Sequence, residues 1–366
     1  MSIREPRIRV STPGRICLFG EHQDYLQLPV IPCAISLRVA IEGSHRSDQQ
    51  VVIELPDIGS REVFSIVGSL EYTKERDYFK SVVNVLRRHR FTFSKGLDCI
   101  VRGNIPINAG TSSSSALAVT WVNFLAQMSD QRATLEPDRC AGFSYEAEVV
   151  EFKEPGGMMD QYSTALGGVI AMDFHPSMTI EVLKPQLKAF VLGDSGEPKD
   201  TKRILARVKD RVLRISRALA ARDPAFSLQT ARVEQISGFA QELRKDEAEL
   251  LEGTLRNRDI TRAAKSLLKE VPLDHRKVGH LLTQHQAVLR DILGISTRKI
   301  DAMLDAALNA GAYGGKINGS GGGGCMFAYA PDNPSAVADA IESAGGRAYV
   351  VESCVGTRNE CPEAPR

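Results

Sequence analysis

The sequence predicts a mixed α+β fold in two domains. Three observations carry this. A chain of 366 residues is long for a single hydrophobic core. Its first 170 or so residues are rich in β-branched runs bounded by turn residues, the pattern of sheet strands. A long helical stretch from about Asp200 to Leu293 then gives way to alternating helices and strands.

The elements follow in order. Ile16, Leu18 and Phe19 form a buried strand, and Val30–Glu42 and Gln50–Leu55 read as further strands. Glu75–Arg90 places Phe79, Val82, Val83 and Leu86 on one helical stripe, with Lys80, Arg87 and Arg88 elsewhere. Leu97–Val101 is a strand, Ala116–Met128 a mostly buried helix that takes Trp121 into the core, and Tyr145–Glu151 a short helix. Ile180–Val182 and Phe190–Leu192 are strands. The helical stretch breaks near Asp223-Pro224, Gly238, Val271-Pro272 and Gly294. Lys299–Ala310 and Ser335–Ala344 are helices; Cys325–Ala330 and Arg347–Glu352 are strands. The domain boundary falls near Asp173–Lys188, giving domains of residues 1–180 and 181–366. The tail Thr357–Arg366 reads as disordered.

Composition excludes several classes. Lys plus Arg number 46 and Asp plus Glu 45, so no cationic excess exists to neutralise a nucleic-acid backbone. The seven cysteines are scattered and never in a C-x-x-C pair, which argues against a zinc ribbon or a disulfide framework and fits a reducing, cytoplasmic setting. The first residues lack the apolar core of a signal peptide, and no apolar run reaches the length of a membrane span. His45, His89, His175, His275 and His280 have no metal-ligand spacing.

Four segments carry chemistry. The strand 13–25 delivers Arg15, Glu21, His22, Asp24 and Tyr25 beside an apolar run. Neighbouring donors and acceptors of this kind suit a polyhydroxylated ligand. Asn108, Ala109, Gly110, Thr111, Ser112, Ser113, Ser114 and Ser115 open a helix. Such an entry leaves backbone N–H groups aimed outward with the positive end of the helix dipole behind them, which is a phosphate site. One serine would suffice for a helix cap; four add hydroxyls for phosphate or Mg²⁺. The chain has no Gly-Lys-Ser/Thr of a Walker A loop. Five glycines within 319–324 precede the strand at Cys325, so they read as a helix–loop–strand connection that allows close backbone approach, not as a dinucleotide fingerprint. Finally, Gly156-Gly157 sits just ahead of Asp160.

These motifs, in the order PGR…GEHxDY, PxxAGxSSSxAL and KxxGxGxGGC, resemble the GHMP small-molecule kinases, a superfamily that groups galactokinase, homoserine kinase, mevalonate kinase and phosphomevalonate kinase. Within it the chain is most similar to galactokinase, through Gly20–Tyr25, Ala147-Glu148, Gly157–Tyr162 and His285 with Leu289–Asp291. The resemblance runs over about residues 10–356. It implies an N-terminal domain like ribosomal S5 domain 2, a ferredoxin-like C-terminal domain, and an active site in the cleft between them.

The resemblance also implies roles. Asp160 and Arg15 are the catalytic pair. Glu21, His22, Asp24 and Gly157 hold a sugar. Residues 108–115, with Gly321 and Gly322, hold ATP, and Ser114 and Glu148 hold Mg²⁺. The expected reaction is transfer of the γ-phosphoryl of ATP to a sugar hydroxyl, the C1 hydroxyl of galactose or a related monosaccharide. Leu26-Gln27-Leu28 stands where galactokinases have Asn-Gly-Gly, and Gly193–Lys202 stands where they carry a tyrosine-bearing segment. Heptose-phosphate, arabinose- or uronate-type and mevalonate-type kinases therefore stay open as alternatives, with a non-catalytic sugar and ATP sensor behind them. The expected partner is a small-molecule sugar, with no nucleic acid and no membrane.

Overall fold

The β-branched runs of the first half pair into one twisted sheet, and the apolar faces of its helices cover that sheet. The computed structural model describes residues 7–198, 201–239 and 241–360. In chain order the first part holds β1 (Ile8–Phe19), β2 (Ile31–His45), β3 (Gln50–Leu55), β4 (Ser60–Ser65), α1 (Tyr78–Arg88), β5 (Leu97–Gly103), α2 (Ser113–Met128), α3 (Pro137–Tyr145), α4 (Met159–Leu166), β6 (Val169–Asp173) and β7 (Thr179–Leu183). The second part holds β8 (Phe190–Asp194), α5 (Thr201–Arg222), α6 (Lys245–Leu267), α7 (His275–Ala287), α8 (Arg298–Asn309), β9 (Gly314–Ile317), β10 (Cys325–Tyr329), α9 (Pro334–Ser343), β11 (Arg347–Val351) and β12 (Arg358–Glu360).

The first sheet runs β12-β1-β2-β5-β3-β4, with β6 joined to β2 and β7 to β6. The second runs β11-β8-β10-β9 and is antiparallel throughout. Numbered within itself its strand order is 4-1-3-2, and helices fill the β8–β9 and β10–β11 connections, so the expected mixed α+β fold with a ferredoxin-like second part is present. The apolar stripe of α1 is buried as its spacing predicts, through Phe79, Val82, Val83 and Leu86. Trp121 is 1% exposed in α2 and donates its Nε1–H to the Phe79 carbonyl at 3.0 Å. A second core, built mainly on the C-terminal helices, also takes in Tyr25, Leu26 and Leu28, so the chain leaving β1 is anchored in the other half of the molecule.

Three expectations need correction. The glycine loop follows a strand: β9 pairs antiparallel with β10, making a strand–loop–strand hairpin that carries Lys316 on its inner wall. The tail is ordered as far as Glu360, because its carboxylate accepts hydrogen bonds from Ser11 (2.6 Å) and Arg9 (3.0 Å) and so fastens β12 to the edge of β1. Residues 361–366 lie outside the described residues. Helix α1 begins at Tyr78 and not at Glu75, since Arg76 holds a left-handed backbone with φ of 56°. Among the described residues the cysteines form no disulfide with one another. Among the described residues no helix is long and apolar enough to cross a membrane.

Candidate active site

The sequence motifs meet in one cavity of about 650 Å³, and backbone contacts between them hold it open. Arg15, near the end of β1, donates its backbone N–H to the Thr111 carbonyl (3.1 Å) and its Nη1 to the Gly110 carbonyl (2.6 Å). Asn318, at the start of the glycine loop, donates to the same Gly110 carbonyl (2.8 Å) and accepts from the Cys17 N–H (2.8 Å). Cys325 donates its N–H to the Ala109 carbonyl (2.7 Å). A Cβ on Gly319 would lie 2.9 Å from the Gly110 oxygen, so this crossing of two loops requires glycine.

Asp160, in the first turn of α4, faces Arg15. Its Oδ1 accepts from both Nε (2.9 Å) and Nη2 (2.6 Å). The arginine side chain is 4% exposed, whereas the aspartate keeps 32% of its surface open. Burial opposes the guanidinium charge, but Asp160 and Glu21 outweigh it and raise the pKa of Arg15, which stays protonated. A carboxylate open to the cavity and backed by a buried cation can accept a proton or orient a hydroxyl.

Asp24 lies across from it. Its Oδ1 accepts the Tyr25 N–H (2.8 Å), and a Cβ on Gly157 would fall 2.2 Å from its Oδ2, so the loop 154–157 can lie against Asp24 only with glycine there. Burial, and then the like charge of Asp160, push Asp24 up to about 6. This acid is thus neutral at low pH and becomes a carboxylate as pH rises through about 6. If ionised Asp24 receives the acceptor, kcat/KM for the acceptor falls about tenfold per unit as pH drops below about 6. Asp24→Asn should remove that limb; a limb unchanged in Asp24→Asn would assign it to another group.

Glu21 and His22 reach the cavity wall but are already engaged. Glu21 accepts from Lys316 Nζ through Oε2 (2.9 Å) and from the Gly319 N–H through Oε1. The Lys316 side chain is fully buried and also donates to the Ile317 carbonyl (2.8 Å). His22 Nε2 faces the Ser320 carbonyl at 3.0 Å and must donate, so Nδ1 accepts from the Tyr25 hydroxyl at 2.6 Å. Burial lowers His22 to about 4, which keeps that neutral tautomer at working pH. Glu21 and His22 thus line the cavity while their side chains also brace the glycine loop, and Asp24 is the more open acid of the motif.

The serine turn lies beside Asp160. Asn108 and Ser112 hold left-handed backbones, with φ of 57° and 59°, and Ser112 leads directly into α2. The Ser112 hydroxyl is buried without a protein partner, as is Oε1 of Gln161. Glu148 sits in a π-helical turn, Glu146–Val150, a deformation common at functional sites. It accepts from Gln161 Nε2 (2.6 Å). Burial raises its pKa, while hydrogen bonds from Ser115, Ser114 and Gln161 pull the other way. Hydroxyl and carboxylate oxygens of this kind suit Mg²⁺, which takes one or two protein oxygens and completes its shell with phosphate and water. Among the described residues no group of three His, Cys, Asp or Glu side chains could hold a metal by itself.

Most predicted residues line the cavity, but four do not. Ala109 and Thr111 are buried behind the serine turn. Gly321 and Gly322 face Ile295 and Ile204, on which an added Cβ would collide; they pack the loop and offer the cavity no surface. Arg76, Tyr78 and Glu154 do line it and were missed. Sequence alone assigned Arg76 to a regular amphipathic helix, and no local signal marks its left-handed turn.

An acid open to the cavity and backed by a buried cation, next to a helix entry lined with hydroxyls, is an arrangement suited to phosphoryl transfer to a small molecule. The comparisons agree with that class. Residues 77–168 match the GHMP kinases N terminal domain, residues 263–347 the GHMP kinases C terminal domain, and residues 3–45 the galactokinase galactose-binding signature. The chain belongs to the GHMP kinases, ATP-dependent phosphotransferases that act on alcohol groups. It is similar to the mevalonate kinase of Thermococcus sibiricus (28% identical, covering 94% of this chain and 96% of that one) and to the galactokinase of Pasteurella multocida (28%, 89% and 86%). Its fold is similar to that of Lactococcus lactis galactokinase complexed with galactose, with a TM-score of 0.85, 21% identity, and coverage of 96% and 95%. Methanococcus jannaschii mevalonate kinase superposes with a TM-score of 0.75 at 17% identity, with coverage of 96% and 99%.

Proposed function

We propose that this chain transfers the γ-phosphoryl group of ATP to a sugar hydroxyl, with the C1 hydroxyl of galactose or a related monosaccharide as acceptor. The observation that carries this reading is the placement of Asp160, backed by Arg15, between Asp24 and Gly157 on one side and the Ser112–Ser115 turn on the other, all lining one cavity. The match of residues 3–45 to the galactose-binding signature supports a sugar as acceptor.

In this reading the acceptor hydroxyl lies against Asp160 and Asp24. Asp160 takes or orients its proton as the oxygen attacks the γ-phosphorus. The new O–P bond forms while the bond from the γ-phosphorus to the bridging oxygen breaks, and ADP leaves with that oxygen. Backbone N–H groups at the start of α2 hold the polyphosphate. Arg15 stabilises charge that builds on the transferred group. Ser114 and Glu148 would hold Mg²⁺, which neutralises phosphate charge when bound. No residue need carry the phosphoryl group, so positioning and electrostatics account for the rate. Residues 1–180 would supply the nucleotide turn and residues 181–366 the glycine loop that closes the wall.

A mevalonate-type acceptor is the second reading, favoured by the 28% identity to archaeal mevalonate kinases over nearly the whole chain. Against it stands Arg15 in the first motif, where a lysine would be expected, and the acid-rich segment 21–24. An ATP-consumption assay over free hexoses, pentoses, uronates, a heptose phosphate and mevalonate separates the two. Turnover with galactose or a close free sugar is the expected result; turnover with mevalonate or the heptose phosphate alone would overturn the acceptor assignment.

A further inference from the structure

The proposed ATP site lies in a cavity with an unfavourable charge balance. Among its described lining residues are six carboxylates and two guanidiniums, those of Arg15 and Arg76. Arg15 is committed to Asp160 and to the Gly110 carbonyl. A polyphosphate brings several more negative charges into the same space. The start of α2 and a bound divalent cation answer part of that charge, and a further cation is needed close by.

Arg76 has the geometry for it. It lies just before α1, which packs on the turn that carries Glu148: the Ser81 hydroxyl donates to the Ala147 carbonyl at 3.0 Å. Both Arg76 and Tyr78 are within electrostatic reach of Glu148. Arg76 lines the same cavity as Glu148 and the serine turn. Its guanidinium forms two parallel bonds to Glu154, Nε to Oε1 at 2.9 Å and Nη2 to Oε2 at 3.0 Å, and keeps 37% of its side chain exposed. The planar fork that grips a carboxylate this way matches a phosphate equally well. The left-handed backbone at Arg76 is a conformation that a non-glycine residue adopts at a cost, and such costs concentrate at ligand sites.

We propose that Arg76 is a nucleotide-binding residue: Glu154 holds its guanidinium while the cavity is empty, and the polyphosphate of ATP takes the guanidinium over when it enters. Glu154 is then a competitor of the nucleotide. The inference rests on the reading of this cavity as an ATP site, and it assigns a phosphate contact outside the three sequence motifs.

The two partners should respond with opposite signs. Calorimetric titration of the full chain with Mg²⁺ and a non-hydrolysable ATP analogue should give a Kd at least about tenfold weaker in Arg76→Ala. In Glu154→Gln the Kd should be unchanged or tighter. Adenosine, which has no phosphate, should bind Arg76→Ala as it binds the unaltered chain, and Arg76→Lys should recover part of the analogue affinity. A merely structural pair would instead weaken analogue binding alike in Arg76→Ala and Glu154→Gln, or weaken adenosine and analogue together, and either result overturns the proposal. So does an Arg76→Ala chain whose only change is a higher KM for the acceptor, which would assign the guanidinium to that substrate. If the unaltered chain binds no nucleotide, the kinase reading falls with it; if it does and Arg76→Ala binds equally well, only this inference falls.

Discussion

Replacing Asp160 by Asn lowers turnover by about a thousandfold or more while leaving nucleotide affinity within about threefold. The size follows from what is lost. Asn keeps the shape of the side chain and can still meet a hydroxyl, but it cannot accept a proton, and positioned proton transfer accounts for about 10²–10⁴ in rate. The asparagine also leaves Arg15 without its counter-ion beside the serine turn. That guanidinium is 4% exposed and keeps its bond to the Gly110 carbonyl, so its positive charge stays aimed at the polyphosphate region. Nucleotide binding measured on the same preparation serves as the folding control. Near-normal turnover by Asp160→Asn would remove this residue from the chemistry.

The second large effect is on stability. Lys316→Met should destabilise the chain by about 3–5 kcal/mol, because removing one partner of a buried ion pair strands the other charge. Glu21 is 2% exposed and its other oxygen is held by the glycine-loop backbone, so without Lys316 its charge stays largely desolvated. The double variant Lys316→Met/Glu21→Leu should recover most of the lost stability, since apolar groups of similar volume can replace a buried pair at little net cost. It should not recover catalysis, because the pair fixes the glycine loop against the first motif. Urea midpoints of the single and double variants check this. A single variant as stable as the unaltered chain would mean that the pair contributes no such constraint.

The sequence made the site legible to the extent that chemistry clustered locally. Arg15, Asp24, Asp160, Glu148 and the serine turn stood out because charged and hydroxyl groups interrupt apolar runs at helix and strand ends, and the cavity gathers all of them. What sequence could not give was direction. Glu21 and Asp24 are three residues apart and chemically alike, yet one is consumed by Lys316, a partner 295 positions away, while the other faces Asp160. Gly321 and Gly322 have Ile295 and Ile204 pressed against them, a tertiary contact that no local pattern displays. The fold shows the same division. Strands β2, β3 and β8 were readable from their own β-branched residues. Strands β9 and β12 are four and three residues long and exist through pairing with distant partners, so a local pattern had little to display. Arg76 was hidden for a related reason: its role depends on a backbone turn that the helical periodicity of the following residues concealed.

The most direct test is a structure of the chain bound to Mg²⁺, a non-hydrolysable ATP analogue and the sugar selected by the acceptor panel. The account predicts the phosphates over Ser112–Ser115 and the acceptor oxygen within hydrogen-bond distance of Asp160, in line with the γ-phosphorus. A nucleotide bound away from the serine turn, or an acceptor oxygen far from Asp160, would contradict it.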